Sequence, residues 1–130
     1  MNYAGVPVGL ELQAIDAGAS VTLSVRTELT LLLTRLRWSV PISGLVLMDA
    51  KVHNISLVSS VRGPAMPLEG NGVWRFPPEI GQVSTLLSVV VMNLSAARIQ
   101  PRAIAFWGLP WDRLTPYQKA RARWGDLERP

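Results

Sequence analysis

Short segments in which apolar and polar residues alternate, each bounded by turn residues, are the feature that most constrains the fold of this chain. Residues 20–26 (SVTLSVR) follow this period-two pattern closely, as expected for a strand with one buried face. Residues 83–93 (VSTLLSVVVMN) add a β-branched run that lies between a glycine and an asparagine. Both segments therefore predict β-strands that end at turns.

Residues 29–40 (LTLLLTRLRWSV) are predicted as one or two strands. A helix is the alternative, because leucine is a strong helix former, but the threonines and the following Val-Pro favour extended backbone. The remaining predicted strands are residues 45–48, residues 49–58 as an extended piece with a kink near His53-Asn54, residues 73–76 inside a turn-rich region spanning 59–82, and residues 98–107.

The pattern amounts to about seven or eight short strands without βαβ alternation, which predicts an all-β fold: an antiparallel β-sandwich or jelly roll. The length of 130 residues suits one domain with one core. We assign residues 1–108 to the sandwich, with a turn-rich lead over 1–19, and residues 109–130 to a C-terminal arm. The predicted core consists of Val21, Leu23, Val25, Leu36, Trp38, Leu87, Val89, Val91, Ile104 and Phe106.

Composition predicts an assembly. Hydrophobic residues make up 48% of the chain and charged residues only 17%, so a monomer of this size would expose apolar patches of the kind that mark interfaces. The longest apolar runs are far shorter than the ~20 residues of a spanning helix, so we expect no membrane span. The chain has no cysteine and no recognisable signal peptide, and we therefore expect it to be made in the cytoplasm.

The sequence offers little for catalysis. His53 is the single histidine, the acidic residues are scattered, and Gly70-Asn71-Gly72 lacks the lysine and hydroxyl residue of a phosphate loop. Asn54 and Asn93 each begin a glycosylation sequon, a pattern that also occurs by chance. We expect a protein that is not an enzyme and uses neither cofactor nor metal.

The C-terminal arm, residues 109–130, differs from the rest of the chain. It holds two of the five tryptophans and five of the thirteen Lys/Arg residues, and we expect it to dock on its own domain, a neighbouring copy or another partner. Thr115 and Pro116 are suited to begin a helix, and Gly125 is suited to end it. The predicted arm anchors are Trp111, Leu114, Tyr117 and Trp124, and the predicted rim is formed by Arg113, Arg121 and Arg123.

Nucleic acid is a possible partner that the overall charge does not favour. The net charge is +4, and the excess is divided equally between residues 1–108 (eight basic minus six acidic residues) and residues 109–130 (five minus three). Eleven arginines against two lysines agree better with protein interfaces, where arginine is enriched and lysine depleted. We therefore expect homo-oligomers or other proteins of the same assembly as the partners.

Three phrases carry a resemblance to a known class of protein: AGASVTLSVRTE, LVLMDAKVHNISLV and GQVSTLLSVVVMNLSAARIQPRAIAFWG. Over residues 10–108 the chain resembles small single-domain β-sandwich capsid or decoration proteins of viruses and bacteriophages. The resemblance implies a non-enzymatic subunit that packs in a virion shell and uses an extended terminus to hold its neighbours. The alternative is a ligand-binding β-sandwich for carbohydrate or nucleic acid that uses Trp74, Trp107 and Trp111.

Overall fold

A computed structural model describes residues 6–28, 30–52, 55–59, 66–81 and 85–123 of the chain. Most of these residues lie in strands, and a short 3₁₀ turn at Trp111–Arg113 precedes the helix α1 at Pro116–Arg123. The described strands are β1 (Val6–Gly9), β2 (Ser20–Thr27), β3 (Leu31–Ser39), β4 (Leu45–Val52), β5 (Ile55–Ser59), β6 (Met66–Leu68), β7 (Asn71–Gly81), β8 (Thr85–Asn93) and β9 (Ala103–Pro110).

These strands form two sheets that pack around one core. The first sheet has the order β1-β9-β3-β7, the second has the order β2-β8-β4-β5, and β6 pairs with β4 beside it. All of the described strand pairs are antiparallel. The prediction of an all-β, antiparallel sandwich is therefore confirmed.

The pairing follows a nested order along the chain. The first strand pairs with the ninth, the second with the eighth, the third with the seventh and the fourth with the sixth. The additional pairs β9–β3 and β8–β4 join these pairs into the two sheets. The chain thus follows the course of one long antiparallel ribbon whose two halves run side by side.

The core comes from the inward positions of the alternating strands, as expected from a period of two. Eight of the ten predicted core residues are buried, and the other two, Val21 and Val25, pack against the core from partly exposed positions. Ile15 and Ile99, which the sequence analysis did not select, are also buried and face each other across an isolated β-bridge. Burial of this apolar surface is the main favourable term in folding.

Two strand predictions were wrong in the middle of the chain. Residues 49–58 do not form one kinked piece, because β4 and β5 pair antiparallel and the chain reverses direction between Val52 and Ile55. The turn-rich region 59–82 contains the eleven-residue strand β7 instead of a four-residue one. Its prolines, Pro77 and Pro78, are tolerated because β7 lies at the edge of its sheet, where a strand needs hydrogen bonds on one side only.

One further strand boundary differs from the prediction, and the structure decides between two predicted alternatives. The last strand covers Ala103–Pro110 instead of 98–107, so it begins after Pro101 and includes the first two residues that we assigned to the arm. Residues 31–39 form a single strand and no helix. Its pairing with β7 and β9 shifts register between Leu33 and Arg35, which indicates a bulge that changes the alternation there.

A buried polar side chain fixes one end of the sandwich. The Asn93 side chain is fully buried, and its Nδ2 donates to the carbonyls of Ile15 at 2.9 Å and Ala97 at 2.7 Å. Its Oδ1 accepts hydrogen bonds from the backbone N–H and the hydroxyl of Ser95. Asn93 therefore ties the turn that follows β8 to the distant segment around Ile15, and its amide is not accessible as a glycosylation site.

Candidate functional site

The outer face of the first sheet carries a row of four residues that the strand register places side by side. Pro7 is opposite Trp107, Trp107 is opposite Arg35, and Arg35 is opposite Arg75. Register partners share a face of the sheet, so this row lies on one surface. A bulky aromatic ring therefore stands between a proline on one side and two arginines on the other.

The next row along the strands brings in Arg37. It is opposite Ala105 on β9 and Val73 on β7, and its side chain is exposed to solvent. Its guanidinium lies 5.1 Å from the centre of the Trp107 ring, and the guanidinium of Arg35 lies 5.6 Å from it. Both distances are within the range of cation–π interactions, so the ring holds two positive charges close together.

Small residues beside these large ones leave a groove of about 450 Å³ on the same face. Ala103 and Ala105 take part in its lining where longer side chains would fill it, and Arg37, Val73 and Trp107 rise around them. Ser39 and Asn71 add polar groups at one end. The volume falls within the range of ~300–1,000 Å³ that small-molecule sites occupy.

The charge of this groove is positive. None of its described lining residues is acidic, and the ion pairs Arg98–Asp16 and Lys51–Asp49 do not involve these lining residues. Arg75 is exposed beside the groove, next to Arg35 in the register. The arrangement is chemically suited to bind an anionic group beside a flat apolar surface.

The first part of the C-terminal arm folds back on its own domain. Leu114 is buried with Leu32 and Leu109, and Trp111 packs against this small cluster. Leu32 and Leu109 are opposite each other in the register, and they lie on the face opposite to Leu33 and its neighbours in the main core. Leu114, predicted to anchor the arm to a neighbour, therefore has its apolar contacts within its own chain.

Helix α1 begins as the residue types predict. The Gln118 N–H donates to Thr115 Oγ1 at 3.2 Å, and the Thr115 N–H donates to Gln118 Oε1 at 2.8 Å, the reciprocal arrangement of a capping box. Lys119 Nζ lies 5.3 Å from the centre of the Trp111 ring. The first turn of α1 thus contacts Trp111, which packs against the cluster of Leu32, Leu109 and Leu114.

The other predicted site residues divide into three groups. Tyr117 on α1 is 69% exposed, and Arg113 on the 3₁₀ turn is exposed as well. Arg121 and Arg123 lie within α1, but their side chains lie outside the described part of the chain. Trp124 and His53 also fall outside the described residues.

Arg35, Arg37 and Arg75 were not predicted as a group. Arg35 and Arg37 lie in the segment 29–40 and Arg75 in the segment 73–76, both predicted as strands, but the sequence does not show that these strands pair. Of the three tryptophans proposed as ligand platforms, Trp107 lines the groove, whereas Trp74 packs against Phe76 with the ring centres 5.2 Å apart. The recognisable signal was arginine at two successive outward positions of one predicted strand.

Among the described residues, no group of three or more His, Cys, Asp or Glu side chains could hold a metal ion. No helix in the described part of the chain is long and apolar enough to cross a membrane. No family model matches this chain, and comparison with the curated proteins and with the solved structures found no match.

Proposed function

We propose that this chain is a jelly-roll structural subunit of a virus or bacteriophage particle, in the shell or decorating it. The nested strand pairing carries the proposal: the first strand pairs with the last, and each following pair lies inside the one before. A jelly roll is an antiparallel ribbon rolled into two sheets, and viral capsid domains are among the proteins built on it. Such a subunit is made in the host cytoplasm and ends in the virion.

A fold alone does not determine a function, and the surface supplies the second line of support. Several large apolar side chains are exposed, among them Ile42 at 45%, Leu86 at 36% and Tyr117 at 69%. Together with the high hydrophobic content, these residues favour burial against further copies of the chain. The proposal is a non-enzymatic role in which contacts between subunits are the activity.

The arm provides a specific contact in this proposal. Its first part is held on its own domain by Leu114 and Trp111, which fixes the direction in which α1 leaves the sandwich. Tyr117 then lies exposed on a supported helix, with Arg113 exposed nearby in the sequence. Tyrosine and arginine are the residue types that contribute most to binding at interfaces. Tyr117 is therefore the proposed anchor in a neighbouring subunit.

Replacing Tyr117 with serine is expected to weaken self-association without unfolding the domain. Truncating a side chain that anchors an interface costs at least about 2 kcal/mol, which raises the dissociation constant by about 30-fold. Sedimentation velocity over a range of concentrations measures this shift. The near-ultraviolet circular dichroism spectrum of the variant checks that its core packing is intact.

Leu94→Ser is the matched control, because Leu94 is similarly exposed but lies in the turn after β8, away from the arm in the sequence. We expect this variant to associate like the unmodified chain. If Tyr117→Ser also associates normally, the arm is not the contact. If Leu94→Ser is the variant that dissociates, the interface lies at that turn instead.

A further inference from the structure

We propose that the groove around Trp107 and Arg37 is a binding site for single-stranded nucleic acid. The described lining of this groove contains no residue of the arm, so its variants differ from those that test the assembly contact. The arginines on the face would contact phosphates, and a base would lie in the groove beside the Trp107 ring. The proposal follows from the juxtaposition of these residues on the outer face of the β1-β9-β3-β7 sheet.

Positive charge is concentrated on this face of the sheet. Arg35 and Arg75 are directly opposite on paired strands, and Arg37 lies two residues further along the same face. Arg37 and Arg75 are exposed to solvent, where phosphate groups can reach them. Arginine is the residue best shaped to bind phosphate.

The groove itself combines apolar and positively charged groups. Its lining combines the Trp107 ring and alanine methyl groups with the Arg37 guanidinium, which suits a ligand that has both a flat apolar part and a negative charge. Non-specific single-strand binding uses this combination: bases stack on aromatic rings or on guanidinium planes while basic side chains follow the backbone. A neutral sugar has no negative charge to pair with the arginines, and an acidic peptide would leave the ring without a stacking partner.

Small residues give the groove its depth. Ala105 stands between Arg37 and β1 in the register, and Ala103 follows on the same face of β9. At about 450 Å³, the groove is small enough to contact a single base on several sides. A larger side chain at Ala105 would fill it from an outward position, where the buried core is not disturbed.

Fluorescence anisotropy with a labelled oligodeoxythymidine tests the proposal on the full chain. The unmodified protein is expected to bind, and its affinity should fall about sevenfold between 50 and 200 mM salt if two phosphates are neutralised. The double variant Arg37→Gln/Arg75→Gln should remove most of this salt dependence and weaken binding at least about tenfold. Trp107→Leu and the groove-filling Ala105→Leu should each weaken binding by about tenfold.

Arg98→Gln is the matched control, because it removes one positive charge from an exposed side chain outside the groove. It should bind like the unmodified chain. Light scattering on the same samples separates loss of binding from loss of assembly, and circular dichroism separates it from unfolding. Absence of binding at 50 mM salt, or equal losses in Arg98→Gln and the groove variants, would overturn the proposal.

Competition decides the class of ligand. Unlabelled oligodeoxythymidine should displace the probe at concentrations at least about tenfold lower than a polyglutamate or a sulfated polysaccharide of equal charge, because only the oligonucleotide has bases that stack. Equal displacement by all three would show a general polyanion surface and contradict a nucleic-acid site. Stronger displacement by the polysaccharide or the peptide would assign the groove to that ligand instead.

Discussion

Replacing Phe106 with alanine is expected to lower the free energy of unfolding by about 3–5 kcal/mol. Phe106 is fully buried at the centre of β9, opposite Val8 on one side and Leu36 on the other. Its ring also meets the edge of Phe76, with 6.1 Å between the ring centres. Because β9 lies between β1 and β3 in the first sheet, the neighbouring backbone has little freedom to fill the cavity.

Thermal unfolding followed by near-ultraviolet circular dichroism measures this effect. With an unfolding entropy of about 2.1 cal/mol/K per residue, the expected loss corresponds to a fall of about 11–18 °C in Tm for a chain of this length. Leu94→Ala is the control, since this leucine is 63% exposed and its loss should change stability by less than about 0.5 kcal/mol. Similar Tm values for the two variants would contradict the described core.

Replacing Asn93 with aspartate is expected to destabilise the fold by about 3–5 kcal/mol although the two side chains have nearly the same shape. The aspartate keeps an oxygen that accepts from Ser95 but loses the two N–H donors. A carboxylate oxygen would then face the carbonyl oxygens of Ile15 and Ala97, which the amide now contacts at 2.9 and 2.7 Å. That carboxylate oxygen would have no hydrogen-bond donor, and burying its negative charge next to two carbonyl oxygens is costly.

Urea unfolding of this variant beside Asn71→Asp measures the effect. Asn71 is exposed at the start of β7, so the same chemical change there should alter stability by less than about 0.5 kcal/mol. Amide hydrogen exchange should also become faster at Ile15 and Ile99, whose backbones hydrogen-bond each other beside Asn93. A loss of less than about 1 kcal/mol in the free energy of unfolding of Asn93→Asp would show that the hydrogen bonds of the Asn93 amide do not hold this end of the sandwich together.

The sequence was sufficient to predict the fold class because alternation directly reports which face of a strand is buried. The pattern in residues 20–26 and 83–93 fell on β2 and β8, and eight of the ten predicted core residues are buried. The alternation pattern failed where pairing with a neighbouring strand outweighed the preferences of the local residue types. Strand β7 carries two prolines and is held by β3 along its length, a constraint that local composition does not reveal.

The candidate binding face was not predictable from charge for a related reason. A net charge of +4 is modest for 130 residues, and the net value does not show where the charges lie. Folding brings Arg75 from a distant strand beside Arg35, and β9 places Trp107 on the other side of the same residue. Local charge density depends on register, which requires knowing the strand partners.

The arm has one feature that the sequence predicts and one that it does not. Thr115 and Pro116 predicted where α1 begins, because capping is a local interaction. The burial of Leu114 against Leu32 and Leu109 depends on contacts distant in sequence. A truncation that tests the arm should therefore keep Leu114, since a chain ending at Gly108 would also lose the end of β9 and expose Leu32.

The molar mass of the species that the full chain forms in solution tests the proposed assembly function most directly. Size-exclusion chromatography with light scattering over a wide range of concentrations, followed by negative-stain electron microscopy, should give closed particles or oligomers at multiples of the 14.3 kDa chain mass. Their population should rise with concentration, as expected for association. A single species of 14.3 kDa at every concentration, with no particles in the images, would contradict the proposal.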